Sequence, residues 1–437
     1  MTATISHRNE SGDRSHVVIV GGGFGGLYAA KGFSGSRVRV TLVDKHNYHM
    51  FRPLMYQLAT GILAADEVAP PLRAVFRGQS NIDVLMGEVT GIDTRNQIVR
   101  VAPCDLRYDY LILATGIRSN YFGHEDWQQF APALDSLDDA DQIRCKILTA
   151  FEKAERMASC NAPAEQVSAM LTFVLVGGGT VGVELAGTIA ELCRVALRNE
   201  FRHIDPSMAK IYLYEGAPRI LPSFPEDLSI KAKRHLEALG VKVRAGVTVD
   251  RVDDTGIMAG GAHVLSGTVL WSAGVIASPA ATWLGVEPGR GGRVKVNPDL
   301  SVPGLPNVFV VGDTADVVAD TRNILGVKTG RGAMPGLAQP AIQEGQFVSK
   351  LIVARVEGKQ PPSSFSYLDK GDLAVVGRAY AVADLRFWRS AGFAAWLLWA
   401  GVHIYFLIGY ANRFFVLTRW AITFLTRRRH VRTCGKG

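Results

Sequence analysis

Gly21, Gly23 and Gly26 follow the apolar run "HVVIV" and open a helix-like stretch, "FGGLYAAKGF". In this GxGxxG spacing the first glycine permits a tight turn and the second lets the backbone approach a pyrophosphate. The third lets helix and strand pack closely. Gly25 shares the turn, and the helix N-terminus behind it receives phosphate charge. Asp44, followed by Lys45, ends the next strand, 18 residues after Gly26. A carboxylate there can hydrogen-bond a ribose hydroxyl. The same grammar restarts at Gly177, Gly179 and Gly182 after "LTFVLV", with Glu215 closing "AKIYLYE". The longer interval to this second acid fits the insert "RNEFRHIDPSMAK".

An acid at a strand end repels a 2′-phosphate, so the second site is expected to favour NADH over NADPH, with nearby Arg219 acting against that preference. Glu184 extends the second turn to GxGxxGxE. A carboxylate there could orient a substrate or relay a proton; the plainer reading is a surface carboxylate near the positive end of a helix dipole. Gln339 and Gln343 stand in "GLAQPAIQEG". Their amides could hydrogen-bond carbonyl groups in an apolar tunnel without becoming charged, or they could cap a helix start after "GAMPG". His46 and His49 read as packing or hydrogen-bonding loop residues. No His, Cys and carboxylate cluster has metal spacing, so no metal is expected.

Strands alternating with helices position these residues, which indicates an α/β architecture with parallel sheets. "YDYLILATG" with Thr115, "TVLWSAG" with Gly274 and "NVFVVGDTA" with Gly312 and Asp313 are further strand-turn units. Residues 135 to 168 read as a polar helical connection. The charge balance is +8, but from Arg378 onward ten Lys and Arg face a single acid, Asp384. The body is near neutral, and the basic tail mixes charge with Trp, Phe and Leu. That suits an anionic membrane surface rather than a nucleic acid. The five cysteines have no CxxC pair and read as reduced thiols in a cytoplasmic protein. "MTATISHRNESGDRSH" carries no apolar run after a basic start, so neither a signal nor a transit peptide is expected.

The order of glycine fingerprint, ATG, second fingerprint and late GD resembles the two-dinucleotide-binding-domain flavoproteins over roughly residues 16 to 350. The resemblance implies non-covalent FAD in the first site and a nicotinamide cofactor in the second. Asp313 would contact the ribityl-phosphate portion of the flavin. "HNYHMFRPLMYQLATGIL" lacks the CxxxxC of disulfide reductases. Cys160 lacks a partner cysteine in the late body, so a sulfide:quinone or ferredoxin-type reductase stays the alternative. Together with "GLAQPAIQEG", the same segment resembles the type II NADH dehydrogenases, whose AQxAxQ motif matches Ala338, Gln339, Ala341 and Gln343. This implies a single-subunit NADH:quinone oxidoreductase that pumps no protons and feeds a respiratory chain. Glu184, Gln339 and Gln343 would be catalytic. Gly21, Gly23, Gly25, Gly26, Asp44, Lys45, Thr115, Gly312, Asp313 and Lys370 would hold FAD. Gly177, Gly179, Gly182, Glu215 and Gly274 would hold NADH.

The expected architecture is two Rossmann-like dinucleotide-binding domains plus a C-terminal membrane-anchoring helical region. FAD-binding parts at 16–135 and 296–355 flank an NADH-binding domain at 136–295. The C-terminal region, 356–437, carries an anchor at about 385–430. Residues 390–412 are long enough to span a bilayer. Their glycines, the pair Trp396 and Trp399, and the Arg413, Trp420 and Arg427–Arg429 spacing favour helices lying in the interface. A spanning helix, a dimer helix and a homodimer stay open. The expected location is the cytoplasmic side of the inner membrane, peripheral or monotopic. Because both fingerprints precede residue 320, the tail from 385 is expected to be dispensable for nucleotide binding.

Overall fold

The computed structural model describes residues 14–427, 429 and 431–434. Most of the N-terminal segment read for targeting signals, and Arg428 of the basic run, lie outside the described residues. The chain forms two compact units. One comprises Met1–Met50, Ala69–Arg118 and Val275–Lys370. The other comprises Phe51–Val68, Ser119–Gly274 and Gly371–Gly437.

The first unit is built on a six-stranded sheet in the order Ser301–Val302, Leu305–Val310, Tyr110–Leu113, His16–Val20, Arg39–Asp44, Ile82–Met86. All neighbours are parallel except the edge pair of Ser301–Val302 with Leu305–Val310. Val17 to Ile19 and Leu111 to Leu113 are wholly buried, as parallel strands covered on both faces must be. The first glycine turn joins His16–Val20 to helix α1 (Phe24–Gly32). In the second unit Val241–Ala245, Lys210–Glu215, Thr172–Val176 and Thr268–Trp271 form an all-parallel sheet. The second glycine turn joins Thr172–Val176 to helix α2 (Thr180–Glu191). Helix α3 (Ala338–Val356) belongs to the first unit, and Gly345 lies so close to α1 that an added Cβ would stand 2.2 Å from the Gly25 carbonyl oxygen.

The tail departs from the sequence expectation. Arg389–Gly392 is a strand in an antiparallel sheet with Asp372–Val375 and Ala381–Asp384. Helix α4 (Phe393–Phe406) stops at extended Leu407, and Gly409 at φ +87° starts helix α5 (Tyr410–Thr426). A 14-residue helix is about 21 Å long, short of a hydrocarbon core. No described helix is long and apolar enough to cross a membrane.

Trp399 is no interface residue. It is 2% exposed, stacks on His403 at 4.3 Å and lies 5.2 Å from Trp420. Trp396 stacks on Phe424 at 5.6 Å. Arg429, read as a headgroup arginine, is buried, donating to Thr60 O at 2.7 Å and Thr188 O at 2.6 Å. Arg419 pairs with buried Glu67 at 3.0 Å, and Trp420 Nε1 donates to Gln57 at 2.7 Å. The tail therefore contributes to the interior of the second unit. Helices apolar on two faces hid this, because hydropathy does not say which face is core.

Candidate functional site

The two glycine turns share one geometry. Gly21 and Gly177 adopt φ of +105° and +107°, where L side chains are strained. A Cβ on Gly26 or Gly182 would stand 1.8 Å from the carbonyl oxygen of Gly21 or Gly177, so only glycine permits the close helix–strand crossing. Gly23 and Gly179 precede the helices with no atom within 4 Å of an added Cβ. Open space at the N-terminus of a helix is where a pyrophosphate can bind.

The strand-end acids also match. Asp44 accepts the Gly22 N–H at 2.6 Å and the His46 N–H at 2.7 Å. Glu215 accepts the Gly178 N–H at 2.6 Å and the Ala217 N–H at 2.7 Å. Each carboxylate thus fixes its glycine turn and keeps lone pairs for a ribose. Lys45 follows Asp44 as an exposed residue. Arg219 donates to the carbonyls of Leu221, Pro222 and Phe224, so its guanidinium is occupied by local backbone.

Around the first turn, His49 is wholly buried and its Nδ1 lies 2.8 Å from Gly22 O, while Nε2 has no partner. Burial lowers its pKa to about 4, so the ring is neutral. Thr115 Oγ1 meets Ser278 Oγ at 2.5 Å, and the Gly116 N–H donates to Thr314 Oγ1 at 2.6 Å. Gly312, at φ +69°, donates its N–H to Glu344 Oε2 at 2.6 Å. Glu344 is 1% exposed, and burial pushes its carboxyl up to about 8. Sequence reading passed over Glu344; its adjacency to Gln343 in the motif was the available signal.

The two glutamines differ. Gln343 is closed on the strand Ser366–Asp369: Nε2 donates to Leu368 O at 3.0 Å and Oε1 accepts the Leu368 N–H at 2.9 Å. The strand so fixed leads to exposed Lys370. Gln339 Oε1 is buried without a hydrogen-bond partner. The α3 N-cap is Leu337, so the helix-cap reading of the glutamines is replaced.

In the second unit Glu184 is 5% exposed, which removes the surface reading. Burial raises its pKa well above the usual carboxylate range, opposed by the Val375 N–H at 3.5 Å. Two turns on, Glu191 is also raised by burial and is offset by Arg429 and Arg378. It accepts the Arg378 N–H and lies 3.9 Å from Arg429 Nη2. Gly274, at φ +72°, lies against the Phe122 ring. No group of His, Cys, Asp and Glu among the described residues could hold a metal ion.

A profile of the pyridine nucleotide-disulphide oxidoreductases matches residues 15–345, and one of the NDH2 C-terminal domain matches residues 370–429. The type II NADH:quinone oxidoreductase Ndh of Mycobacterium tuberculosis is 42% identical over 431 residues, covering 95% of this chain and 89% of its own. NdhA of the same organism is 40% identical over 446 residues, covering 98% and 91%. NDH2 from Plasmodium falciparum, solved in complex with NADH, matches the fold with a TM-score of 0.85 at 22% identity, covering 97% of this chain and 100% of that one. The chain belongs to the type II NADH:quinone oxidoreductases, within the pyridine nucleotide-disulphide oxidoreductase family.

Proposed function

We infer that the protein oxidises NADH and passes the electrons to a membrane quinone without pumping protons. The observation that carries this is the duplicated turn: two cradles of one geometry, each with an acid tied to its glycine amides. The first cradle fits FAD, with open space at Gly23 and two buried polar atoms, His49 Nε2 and Gln339 Oε1, that have no partner. Gly21, Gly23, Gly25 and Gly26 would receive the pyrophosphate, and Asp44 with Lys45 the ribose. Thr115, Gly312, Asp313 and Lys370 would hold the flavin end. Bound there, FAD supplies a two-electron carrier that takes hydride from a nicotinamide and delivers electrons to a quinone.

The chain's own residues bind and orient. Gly177, Gly179, Gly182, Glu215 and Gly274 would hold NADH. Glu184, its pKa raised by burial, would when protonated offer one donor and one acceptor, the pair a carboxamide needs. Gln339 would donate Nε2–H to a quinone carbonyl and accept the hydroxyl that forms on reduction. Gln343 positions the strand at Leu368 instead.

The proposed domain parts are those read from the sequence, with FAD on 16–135 and 296–355 and NADH on 136–295. The protein would sit peripherally on the cytoplasmic face of the inner membrane. In support, α4 exposes Phe393, Leu397 and Tyr405, and α5 exposes Phe414, Phe415, Leu417, Ile422 and Leu425. The buried positions of the two helices are Ala395 and Trp399 in α4 and Val416 and Trp420 in α5.

The test is anaerobic stopped flow on each half-reaction. Gln339→Leu should leave flavin reduction by NADH intact and slow reoxidation by quinone about tenfold, one hydrogen bond's worth. If NADH reduction slows equally, Gln339 does not serve the quinone. If wild-type flavin is not reoxidised by any quinone, the function itself falls.

A further inference from the structure

At the C-terminal end of α5 a cavity of about 550 Å3 is lined by Arg194, Arg198, Arg427 and Arg432, with Glu200 and Thr426. Arg194 belongs to a π-helical turn, Leu192–Ala196, that continues α2. Arg194 in this turn and Arg198 just after it line the same cavity as Thr426 and Arg427 at the end of α5. Arg432 is already neutralised, because Nη1 reaches both Glu200 oxygens at 2.5 Å. Arg194 Nη2 donates to Gly240 O at 3.3 Å, but its Nη1 is buried with no partner. Arg198 and Arg427 are exposed. Among the described residues, three guanidinium groups thus line one concavity with no further lining acid to balance them. Its size suits a headgroup.

A second observation says what kind of anion fits. The exposed apolar face of α5 runs through Phe414, Leu417 and Ile422 to Leu425, which is 79% exposed. The next two residues, Thr426 and Arg427, line the basic cavity. An apolar track therefore ends at a cationic pocket, the order of parts in a phospholipid. A free nucleotide or inorganic phosphate would use the pocket and leave the track idle. We infer that this pocket binds the phosphodiester of an anionic phospholipid headgroup, with the acyl chains along the exposed face of α5. The inference rests on the membrane-surface reading proposed above and adds a defined lipid site to it.

The experiment is co-sedimentation of the full-length protein with phosphatidylcholine vesicles, with and without phosphatidylglycerol. Arg198→Gln/Arg427→Gln should bind neutral vesicles as wild type does. On anionic vesicles it should bind about 30-fold more weakly than wild type, roughly fivefold per arginine. Arg234→Gln/Lys242→Gln removes the same charge at exposed positions of the same unit outside the pocket. It should lose much less. Equal loss in both variants would show diffuse attraction and overturn the site. So would wild type that does not distinguish the two vesicle types. Inorganic phosphate raising the wild-type melting temperature without any anionic-vesicle preference would make the pocket a soluble-anion site and sink the lipid inference. Phe414→Ser/Leu425→Ser isolates the underlying reading: if it leaves neutral-vesicle binding unchanged, the apolar face is not the anchor.

Discussion

The two glycine turns are near copies in backbone, yet their surroundings diverge. At the first, α1 lies on the small-residue face of α3, where Gly25 and Gly345 let the backbones almost touch. At the second, α2 carries two carboxylates inward, Glu184 and Glu191, and Gly187 lies against Val376 and Gly377. The first solution needs small side chains. At the second, Glu191 takes the Arg378 backbone N–H and faces the Arg429 guanidinium, and both residues come from the C-terminal region. The shared turn fixes where a dinucleotide can lie. What surrounds the helix fixes which end of the molecule must be present for the turn to stand.

The strongest break of the comparison is at the crossing glycines. Gly26→Ala should yield colourless protein, whereas Gly182→Ala should stay yellow with NADH bleaching slowed by about two orders of magnitude, since a Cβ at either position overlaps backbone. Absorbance spectra and anaerobic NADH titration separate the two; a colourless Gly182→Ala would undo the assignment. Next is Arg429→Ala, which strands Glu191 and two carbonyls and should cost about 3 to 5 kcal/mol of stability. Chemical denaturation measures it, and a loss below about 1 kcal/mol would make Arg429 peripheral.

Glu344 sharpens the first side. Its folded pKa of about 8 lies above the ordinary 4.5, so the unfolded chain gives up the proton first. Stability from this group is full below pH 4.5 and falls as pH rises toward 8. Glu344→Gln should therefore raise the melting temperature at pH 9 by an amount worth a few kcal/mol and change little at pH 4. An equal shift at both pH values would mean that Glu344 is not protonated in the fold. The smallest effect is on choice of nucleotide. Glu215→Gln should move the NADPH to NADH ratio of kcat/KM up about tenfold by removing repulsion. Asp44→Asn should leave that ratio alone and weaken flavin retention.

Much of the cradle geometry was legible because it is local. Gly21 and Gly26 lie within one turn, and Asp44 ends the neighbouring strand, so spacing alone brings them together. Gln343 was legible as a motif member but not in its engagement, because Leu368 is 25 residues away on another element. Glu344 sat unread beside it, since nothing in "AIQEG" says which residue faces inward. The tail misled most. Trp399 and Arg429 have the composition of an interface, and only tertiary packing turns them inward.

The hydrogen bonds between tail and body also set an order of assembly. Trp420 bonds to Gln57 and Arg429 to Thr60, partners 363 and 369 positions earlier in the chain. At a synthesis rate of 5 to 20 residues per second, the Gln57–Thr60 segment waits about 20 to 70 seconds for them. During that interval the second unit lacks its last strand, two buried tryptophans and the arginine beside Glu191. The nascent chain can complete its first parallel strands early, but this unit closes only after Arg429 has been made. A chain released before Arg429 therefore lacks the groups that finish the second unit.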